Sequence, residues 1–224
     1  MNRVQKVDDR LRIRRVLLSV SDKSGLESFV PRLVARADVV IYSTGGTYDR
    51  VADILGSSAE EHLRRVSDYT GQPEMQGGLV KTLDYRIYLG LLSEPYNEAH
   101  AADRSRVDAE LIDMVVVNLY PFRSVASRAG SDAEDARSNI DIGGPCMLRA
   151  AAKSYLRVAA VCDPADYESI ADELDTNGGS LRFETRFRLA QKTFGHTAQY
   201  DRAIADYLSE RSYAEAVAPY EVNQ

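Results

Sequence analysis

Short apolar runs that end in polar, glycine-rich turns recur along this chain and restrict its possible folds more than any other feature. VLLSV (Val16–Val20) and VVIY (Val39–Tyr42) each lead into such a turn and then into a segment with helical character, and VAAV (Val158–Val161) leads into the helix-capping sequence DPADY. Continuous runs of this kind are typical of parallel strands buried on both faces. Strands that alternate with helices predict an α/β fold with a doubly wound parallel sheet, in which ligands bind beyond the carboxyl ends of the strands.

The same reasoning predicts three further elements: a short strand over Val66–Tyr69, a strand over Glu110–Asn118 and a long helix over Thr185–Ser209. A chain of 224 residues is long enough for one large α/β domain, and we expect it over residues 14–224 with a C-terminal helical extension. Residues 1–13 carry several charges but no apolar core of a signal peptide, so they are predicted to form a flexible extension.

Composition argues against several classes of protein. The net charge of −6 is unlike that of a general nucleic-acid binder, which is usually basic. No apolar run approaches the roughly 20 residues that span a bilayer, so no membrane partner is expected. Two cysteines, Cys146 and Cys162, are too few for a disulfide scaffold, and the cytosol is the predicted compartment.

Two predicted strand-to-helix turns combine small residues with hydrogen-bond donors. Glycines let the backbone approach an anion, while hydroxyls and an ammonium group donate to it. Such residues also cap ordinary helices, but two turns of this kind in one sheet favour a phosphate site. Neither turn matches a nucleoside-triphosphate or dinucleotide fingerprint. The candidate phosphate-binding residues are Ser19, Ser21, Lys23, Ser43, Thr44, Gly45, Gly46 and Thr47.

The stretch from Val115 to Lys153 is the most informative about chemistry. Its apolar run ends in polar residues, and its later Gly-Gly-Pro turn opens an alanine-rich segment, which reads as a helix N-terminus able to hold an anion or oxyanion. We therefore expect the mouth of one pocket to bring together Asn118, Tyr120, Asp141 and Lys153. An amide, a hydroxyl, a carboxylate and an ammonium group around backbone dipoles suit polar addition chemistry.

No metal site is predicted, because His62, His100 and His196 are scattered without ligand spacing. His196 is expected to pack within a helix or at an interface. Cys146 follows the Gly-Gly-Pro turn and is predicted to be a small packing residue, since nothing nearby resembles a nucleophile's base.

Nine blocks occur in the order SVSDKSG, STGGT, VSDYTGQPEM, VKTL, VVVNLYPF, NIDIGGP, RAAAK, DPADY and FGHTAQYD. Over about residues 14–208 the chain resembles the inosine-monophosphate cyclohydrolase domain of the bifunctional purine-biosynthesis family that also carries a formyltransferase. The resemblance implies a methylglyoxal-synthase-like fold. It also implies a ring closure in which the carboxamide nitrogen of formamido-imidazole-carboxamide ribotide attacks the formyl carbonyl and water leaves.

The resemblance implies that Lys81, Tyr120, Asp141 and Lys153 carry out this chemistry, and we assign their individual roles as a hypothesis. Asp141 would orient or deprotonate the amide, Lys153 and the backbone amides of Gly143 and Gly144 would stabilise the oxyanion, and Lys81 and Tyr120 would transfer protons. A ribonucleotide substrate and a homodimer are implied, whereas no metal or cofactor is. The base and carboxamide would contact Thr82, Asp84, Asn118, Ile142, Gly143 and Gly144.

The chain departs from the family pattern in the loop over residues 77–90. Where the family commonly has an arginine, a His-Pro pair and a second histidine, this chain has Leu79, Asp84-Tyr85 and Tyr88. A carboxylate cannot replace an imidazole near neutral pH, because its reference pKa is about two units lower. Residues 1–224 also contain no counterpart of the formyltransferase, so a separate formyltransferase is a possible partner.

Three functions therefore remain open from the sequence. The first is a true cyclohydrolase that forms inosine monophosphate. The second is a diverged paralogue that closes a different or larger ring on a related ribotide, as in the specialised synthesis of a nucleoside antibiotic. The third is a non-catalytic nucleotide-binding module. The retained lysines, tyrosine and aspartate argue against the third, and the altered loop bears on the choice between the first two.

Overall fold

The computed structural model describes residues 3–36, 38–73 and 81–222. Within these residues a five-stranded, fully parallel sheet has the order β4-β3-β2-β5-β6, and β1 and β7 form a separate antiparallel pair. The strands are β1 (Arg10–Arg12), β2 (Arg15–Val20), β3 (Val40–Ser43), β4 (Leu63–Arg65), β5 (Met114–Asn118), β6 (Ala159–Val161) and β7 (Ser180–Arg182). The chain runs outward from β2 to β4 and then returns to the other side of β2, which confirms the predicted doubly wound parallel sheet.

Helices connect the strands and continue beyond the sheet. They are α1 (Leu26–Val34), α2 (Gly45–Leu55), α3 (Ala59–His62), α4 (Val66–Thr70), α5 (Tyr85–Leu92), α6 (Glu98–Ser105), α7 (Phe122–Ala126), α8 (Ala133–Ser138), α9 (Gly143–Lys153), α10 (Tyr167–Thr176), α11 (Phe183–Ser209) and α12 (Tyr213–Val217). The predicted long helix is confirmed as α11, which runs without interruption through Gly195. In the described part of the chain, no helix combines the length and apolar character needed to cross a membrane.

The central strands bury side chains on both faces of the sheet, as their continuous apolar sequence requires. Val16 and Leu18 of β2 pack into a core with α1 and α10, whereas Leu17 packs into a second core with α5 and α9. Val116 and Val115 of β5 alternate between the same two cores. Because successive residues of a strand point to opposite faces, one apolar run supplies both cores.

The predicted third strand is displaced. The strand covers Leu63–Arg65, and Val66–Tyr69, which was predicted to be extended, instead belongs to α4. Leu63 pairs with Ile41 of β3 and enters the core, so the apolar residue that fits the sheet comes three positions earlier. Gly71, with a φ of 74°, ends α4 in the left-handed conformation that glycine adopts without strain.

Residues 8–13, which were expected to belong to a flexible extension, pack onto the body of the fold. Arg10 to Arg12 pair with β7 in an antiparallel register, and Ile13 is buried in the core. The side chain of Asp8 accepts a hydrogen bond of 2.6 Å from the Tyr96 hydroxyl. Pairing with a strand 170 residues later is a long-range contact that local sequence patterns do not reveal.

Arg186 of α11 joins these distant segments. Its side chain is fully buried, and its guanidinium donates hydrogen bonds to backbone carbonyls from three parts of the chain. A guanidinium is suited to this position because it carries five donors in a fixed plane. The acceptors are the carbonyl oxygens of Asp8, Asp9, Tyr155, Leu156 and Leu181, at 2.7–3.2 Å.

We predict that Arg186→Met lowers the free energy of unfolding by roughly 3–5 kcal/mol, because several buried carbonyls lose their donor at once. Urea denaturation followed by circular dichroism measures the loss. Arg188→Met on the same helix is the matched control, since the Arg188 side chain is half-exposed and pairs with Asp166 at 3.3 Å. We expect the control to lose less than about 1 kcal/mol. Equal losses in the two variants would contradict the anchoring role of Arg186.

Candidate active site

A cavity of about 370 Å³ opens at the carboxyl edge of the parallel sheet. Its walls come from the turns after β2, β3 and β5, from the segment before α5, and from the first turn of α9. The chain reverses its direction of winding between β2 and β5, and crevices at such switch points are where α/β sheets bind ligands. The location predicted from the sequence therefore agrees with the position of the cavity.

The predicted phosphate-binding residues fall into two groups. Ser43 and Gly45 do not line the cavity, and the Ser43 hydroxyl donates a hydrogen bond of 2.7 Å to the Leu18 carbonyl. Thr47 lines the cavity, but its hydroxyl also bonds both the N–H and the carbonyl of Val20, at 3.1 and 3.0 Å. The predicted phosphate-binding residues that do line the cavity are Ser19, Ser21, Lys23, Thr44, Gly46 and Thr47.

The first turn of α2 adds backbone donors to this end of the cavity. Thr44 is the N-cap residue and its side chain makes no capping hydrogen bond, so the hydroxyl does not occupy the helix N-terminus. The leading N–H groups of a helix have no intrahelical acceptor and attract anions. Hydroxyls, an ammonium group and a helix N-terminus thus converge on one end of the cavity.

Lys81 reaches the same helix N-terminus from the other side. A Cβ atom built on Gly45 would lie 2.9 Å from the Lys81 Nζ, so the ammonium group lies against a glycine that leaves room for it. The φ of Gly45 is +46°, which further disfavours a side chain there. Lys81 therefore lines the cavity with its ammonium group beside the first turn of α2.

The opposite end is built around Asp141. Its Oδ1 accepts a hydrogen bond of 2.9 Å from the Gly144 N–H in the first turn of α9. Its own N–H donates to the Tyr200 hydroxyl at 2.8 Å, which ties the turn to α11. A Cβ on Gly144 would come within 2.5 Å of the Asp141 Oδ2, so glycine is needed for this close approach. Burial raises the pKa of Asp141 above its usual range, although the N–H donors of Gly144 and Tyr120 oppose the rise.

Side chains around Asp141 form the rim and floor of the cavity. Tyr120 and Ile142 are exposed, at 55% and 59%, and stand at the rim. Thr82 is buried, and its Oγ1 would lie 3.3 Å from a Cβ built on Gly143. Lys81, Thr82, Tyr120, Asp141 and both glycines of the turn are therefore brought together as the sequence predicted.

Asn118 lines the cavity, but its side-chain amide already makes three hydrogen bonds to the backbone. Its Oδ1 accepts from the N–H groups of Ser21 and Asp22 at 2.7 and 2.9 Å, and its Nδ2 donates to the Asp22 carbonyl at 2.7 Å. The side chain therefore holds the turn after β2 against the end of β5. Asn118 thus positions the Ser21–Lys23 turn, and its contact with the base stays a prediction.

Two predicted site residues lie elsewhere. Lys153 is exposed at the last position of α9, whereas Gly143 begins the helix at the cavity. Ten residues of α-helix separate them by about 15 Å, so the prediction that Lys153 meets Asp141 at one mouth is wrong for this chain. Asp84 is buried as the N-cap of α5, where its carboxylate accepts from the N–H groups of Arg86 and Ile87. It does not line the cavity.

The altered loop can be followed only in part, because Gly77, Gly78 and Leu79 lie outside the described residues. The Tyr85 side chain is exposed away from the cavity lining. Tyr88 is half-buried beside Cys146, and burial raises the pKa of its hydroxyl. Residues 81–222 therefore place none of the substituted positions on the cavity wall.

Several lining residues were missed by the sequence analysis: Val20, Leu83, Val117, Ser138, Ile140 and Met147. Met147 lies one helical turn after Gly143 and Gly144, so the 3.6-residue period was a usable signal. Leu83 and Ile140 adjoin predicted residues but are apolar, and nothing in their type indicates a ligand. Across the described ranges, His, Cys, Asp and Glu residues form no cluster of three or more that is suited to a metal.

Comparisons with known proteins agree with this geometry. The family model described as the MGS-like domain matches residues 25–146, and that of the AICARFT/IMPCHase bienzyme matches residues 151–224. The bifunctional purine biosynthesis protein PurH of Ruminiclostridium cellulolyticum is 44% identical over 198 residues, which are 88% of this chain and 37% of that protein. The chain thus spans little more than a third of the length of this curated relative. The crystal structure of ForH matches with a TM-score of 0.73 and 31% identity, over 88% of this chain and 99% of that one.

We predict that Asn118→Ala raises the concentration of ligand needed to fill the cavity by about tenfold, because loss of the three hydrogen bonds releases the turn that carries Ser21 and Lys23. Titration calorimetry with inosine monophosphate as the probe measures the change. Asn97→Ala is the control, since Asn97 also makes side-chain bonds to the backbone but caps α6 away from the cavity. Unchanged affinity in Asn118→Ala would contradict the positioning role.

Proposed function

The chain belongs to the MGS-like domain family, and from this premise we propose that its cavity performs the ring closure of an inosine-monophosphate cyclohydrolase. The substrate would be formamido-imidazole-carboxamide ribotide, and the products would be inosine monophosphate and water. One observation carries the proposal: the phosphate-type turns after β2 and β3 share a single cavity with Lys81, Tyr120 and Asp141. A ribotide has its phosphate at one end and its reacting groups at the other, which fits this division.

The amide nitrogen is a weak nucleophile and must lose a proton as it attacks. Asp141 is suited to accept that proton, because burial raises its pKa and so makes its carboxylate a stronger base. The N–H groups of Gly144 and Tyr120 hold the carboxylate in place, and its oxygens retain lone pairs that can face the substrate. Anchoring the phosphate while the base faces the carboxamide also holds nitrogen and carbon at reacting distance.

As the new carbon–nitrogen bond forms, the formyl oxygen gathers negative charge. Since the Gly144 N–H is donated to Asp141, the N–H of Gly143 at the start of α9 is the turn amide that serves this oxygen. Lys81 supplies a second positive group from the α2 side. We assign Lys153 no role within the cavity of its own chain, since it is exposed ten helical residues beyond Gly143.

Collapse of the adduct completes the reaction. The former formyl oxygen accepts protons and leaves as water, while the formamido nitrogen loses its proton and forms the ring double bond. Tyr120 stands at the rim, where its hydroxyl can exchange protons with solvent, and Lys81 is the other proton carrier within the cavity. The atoms balance without an oxidant or a further reactant.

The position of the altered loop favours this reaction over the diverged alternative. Asp84 is occupied as a helix cap, and Tyr85 and Tyr88 stay off the cavity wall. Closure of a different ring on a related ribotide would then depend on Leu79, which lies outside the described residues. The Asp141 carboxylate, which is held against the first turn of α9, does not favour a non-catalytic nucleotide-binding module. The homodimer and a separate formyltransferase stay predictions from the resemblance.

The direct test is incubation of the purified chain with formamido-imidazole-carboxamide ribotide, with inosine monophosphate followed by absorbance and mass. We expect turnover without any added metal or cofactor. Binding of the ribotide without turnover would refute the family reaction for this chain and favour a related ribotide with another carbonyl appendage. Absence of binding would refute the assignment of the cavity as a ribotide site.

We predict that Asp141→Asn lowers kcat by about 10²–10⁴-fold, because asparagine still accepts from the Gly144 N–H but cannot take the proton. For the active protein, kcat/KM should fall as the pH decreases through the pKa of Asp141, since the base must be ionised. The raised pKa moves this inflection above the reference value of about 3.9. Asp201→Asn, which removes an exposed carboxylate next to Tyr200, is the control. Equal activity in the two variants would exclude Asp141 as the base.

A further inference from the structure

A second cavity lies at the amino edge of the sheet, on the side away from the proposed active site. Its volume is about 550 Å³, within the usual range for small-molecule sites. Its walls come from β1, from the start of β2, from the segment before β5 and from Arg157 before β6. Parallel strands place their amino ends together at one edge, so this cavity and the active-site cavity lie at opposite edges of the same sheet.

Arginine dominates the lining of this cavity. It contains six guanidinium groups and three carboxylates. The arginines are Arg10, Arg12, Arg14, Arg15, Arg104 and Arg157, and the carboxylates are Asp8, Glu110 and Asp113. Such an excess of one charge in a concave surface attracts ions of the opposite sign.

Most of these arginines have partners within the protein. Arg12 and Arg14 both contact Asp38, at 3.0 and 3.4 Å, and Arg15 pairs with Glu110 at 3.1 Å. With Asp38 counted, four carboxylates face six guanidinium groups, and two positive charges remain in excess. Among the described residues, no side-chain hydrogen bond or ion pair within the usual distances involves Arg10 or Arg104.

Arg104 has an unsatisfied donor. Its Nε is buried and has no hydrogen-bond acceptor in the described structure. A buried donor without an acceptor costs about 1–3 kcal/mol, and more when the group is charged. Arg104 lies in the last turn of α6 and lines the cavity, so its guanidinium can face an anion there, and a small shift of the side chain would bring the buried Nε within reach.

Arg157 also lines this cavity, but its guanidinium is already bonded within the protein. Its guanidinium is buried and donates to the carbonyls of Ser93, Gly90, Leu91 and Ile112, so it is committed to the end of α5 and the adjacent chain. Asp113, its partner at 3.7 Å, also accepts from the N–H groups of Arg14 and Arg15. Burial lowers the pKa of Arg157 to about 10, and the charge of Arg104 acts in the same direction.

We propose that this amino-edge cavity binds a phosphorylated small molecule, whose phosphate group is held by Arg104 and Arg10. A phosphate dianion balances two excess guanidinium charges, and its oxygens accept the paired donors of arginine. The apolar side chains of Leu11, Ala109 and Leu111 line the rest of the cavity and offer a surface for the remainder of the ligand. The proposal does not depend on the cyclisation reaction, because the two cavities have no lining residue in common among those that the structure describes.

The test titrates inorganic phosphate into the whole chain by calorimetry in phosphate-free buffer. Because the active-site cavity is also expected to bind phosphate, Arg104→Gln and Lys23→Gln are compared. We expect Lys23→Gln to retain phosphate binding at the amino-edge cavity. Arg104→Gln should weaken the affinity of that cavity for phosphate by at least about tenfold and leave the Lys23-dependent binding unchanged. Arg10→Gln should weaken the same site as Arg104→Gln. The Arg10→Gln variant keeps the test decisive if substitution of Arg104 disturbs the fold.

Arg128→Gln is the matched control, since Arg128 is an exposed arginine outside both cavities. Binding that is lost in Lys23→Gln and unchanged in Arg104→Gln would overturn the amino-edge site and leave the proposed function intact. Equal weakening in Arg104→Gln and Arg128→Gln would also overturn it, because net charge alone would then explain the effect. Failure of Lys23→Gln to alter any binding would count against the phosphate end of the active site instead.

Discussion

The parallel pairing of β2 with β3 on one side and β5 on the other is the constraint on which the rest of the structure depends. It brings the turns after three strands to one edge, although β2 ends at Val20 and β5 ends only at Asn118. The register sets Val20 opposite Asn118, which places the Asn118 amide beside the turn after β2. A shift of one residue would turn the apolar side chains to the wrong faces and move this amide away from its partners.

Buried arginines stabilise the irregular segments that the sheet leaves behind. Arg186 satisfies carbonyls near the N-terminal strand and β7, and Arg157 satisfies those at the end of α5. Buried carbonyls without a donor are costly, and a guanidinium can serve several at once.

Local patterns were sufficient for much of the site. Glycine-rich turns after apolar runs located two of the turns that line the cavity, and the Gly-Gly-Pro turn located the start of α9. Patterns did not reveal the hydrogen bonds that such residues make within the chain. Asp84 caps α5 instead of lining the cavity, and Asn118 holds the turn after β2. Lys153 was assigned by resemblance, while the rise of the helix places it far from the residues it was expected to join.

The sequence by itself determined the fold class, the edge of the sheet that carries the site and the chemical types of the groups there, because these follow from short-range periodicity and turn chemistry. Tertiary structure alone decided which polar groups line the cavity and which are engaged in hydrogen bonds within the chain. It also decided that Arg10–Arg12 pair with the distant β7 and that Arg104 and Arg10 line one cavity at the amino edge. Such outcomes depend on strand order, register and competition for hydrogen bonds, which involve residues far apart in the chain.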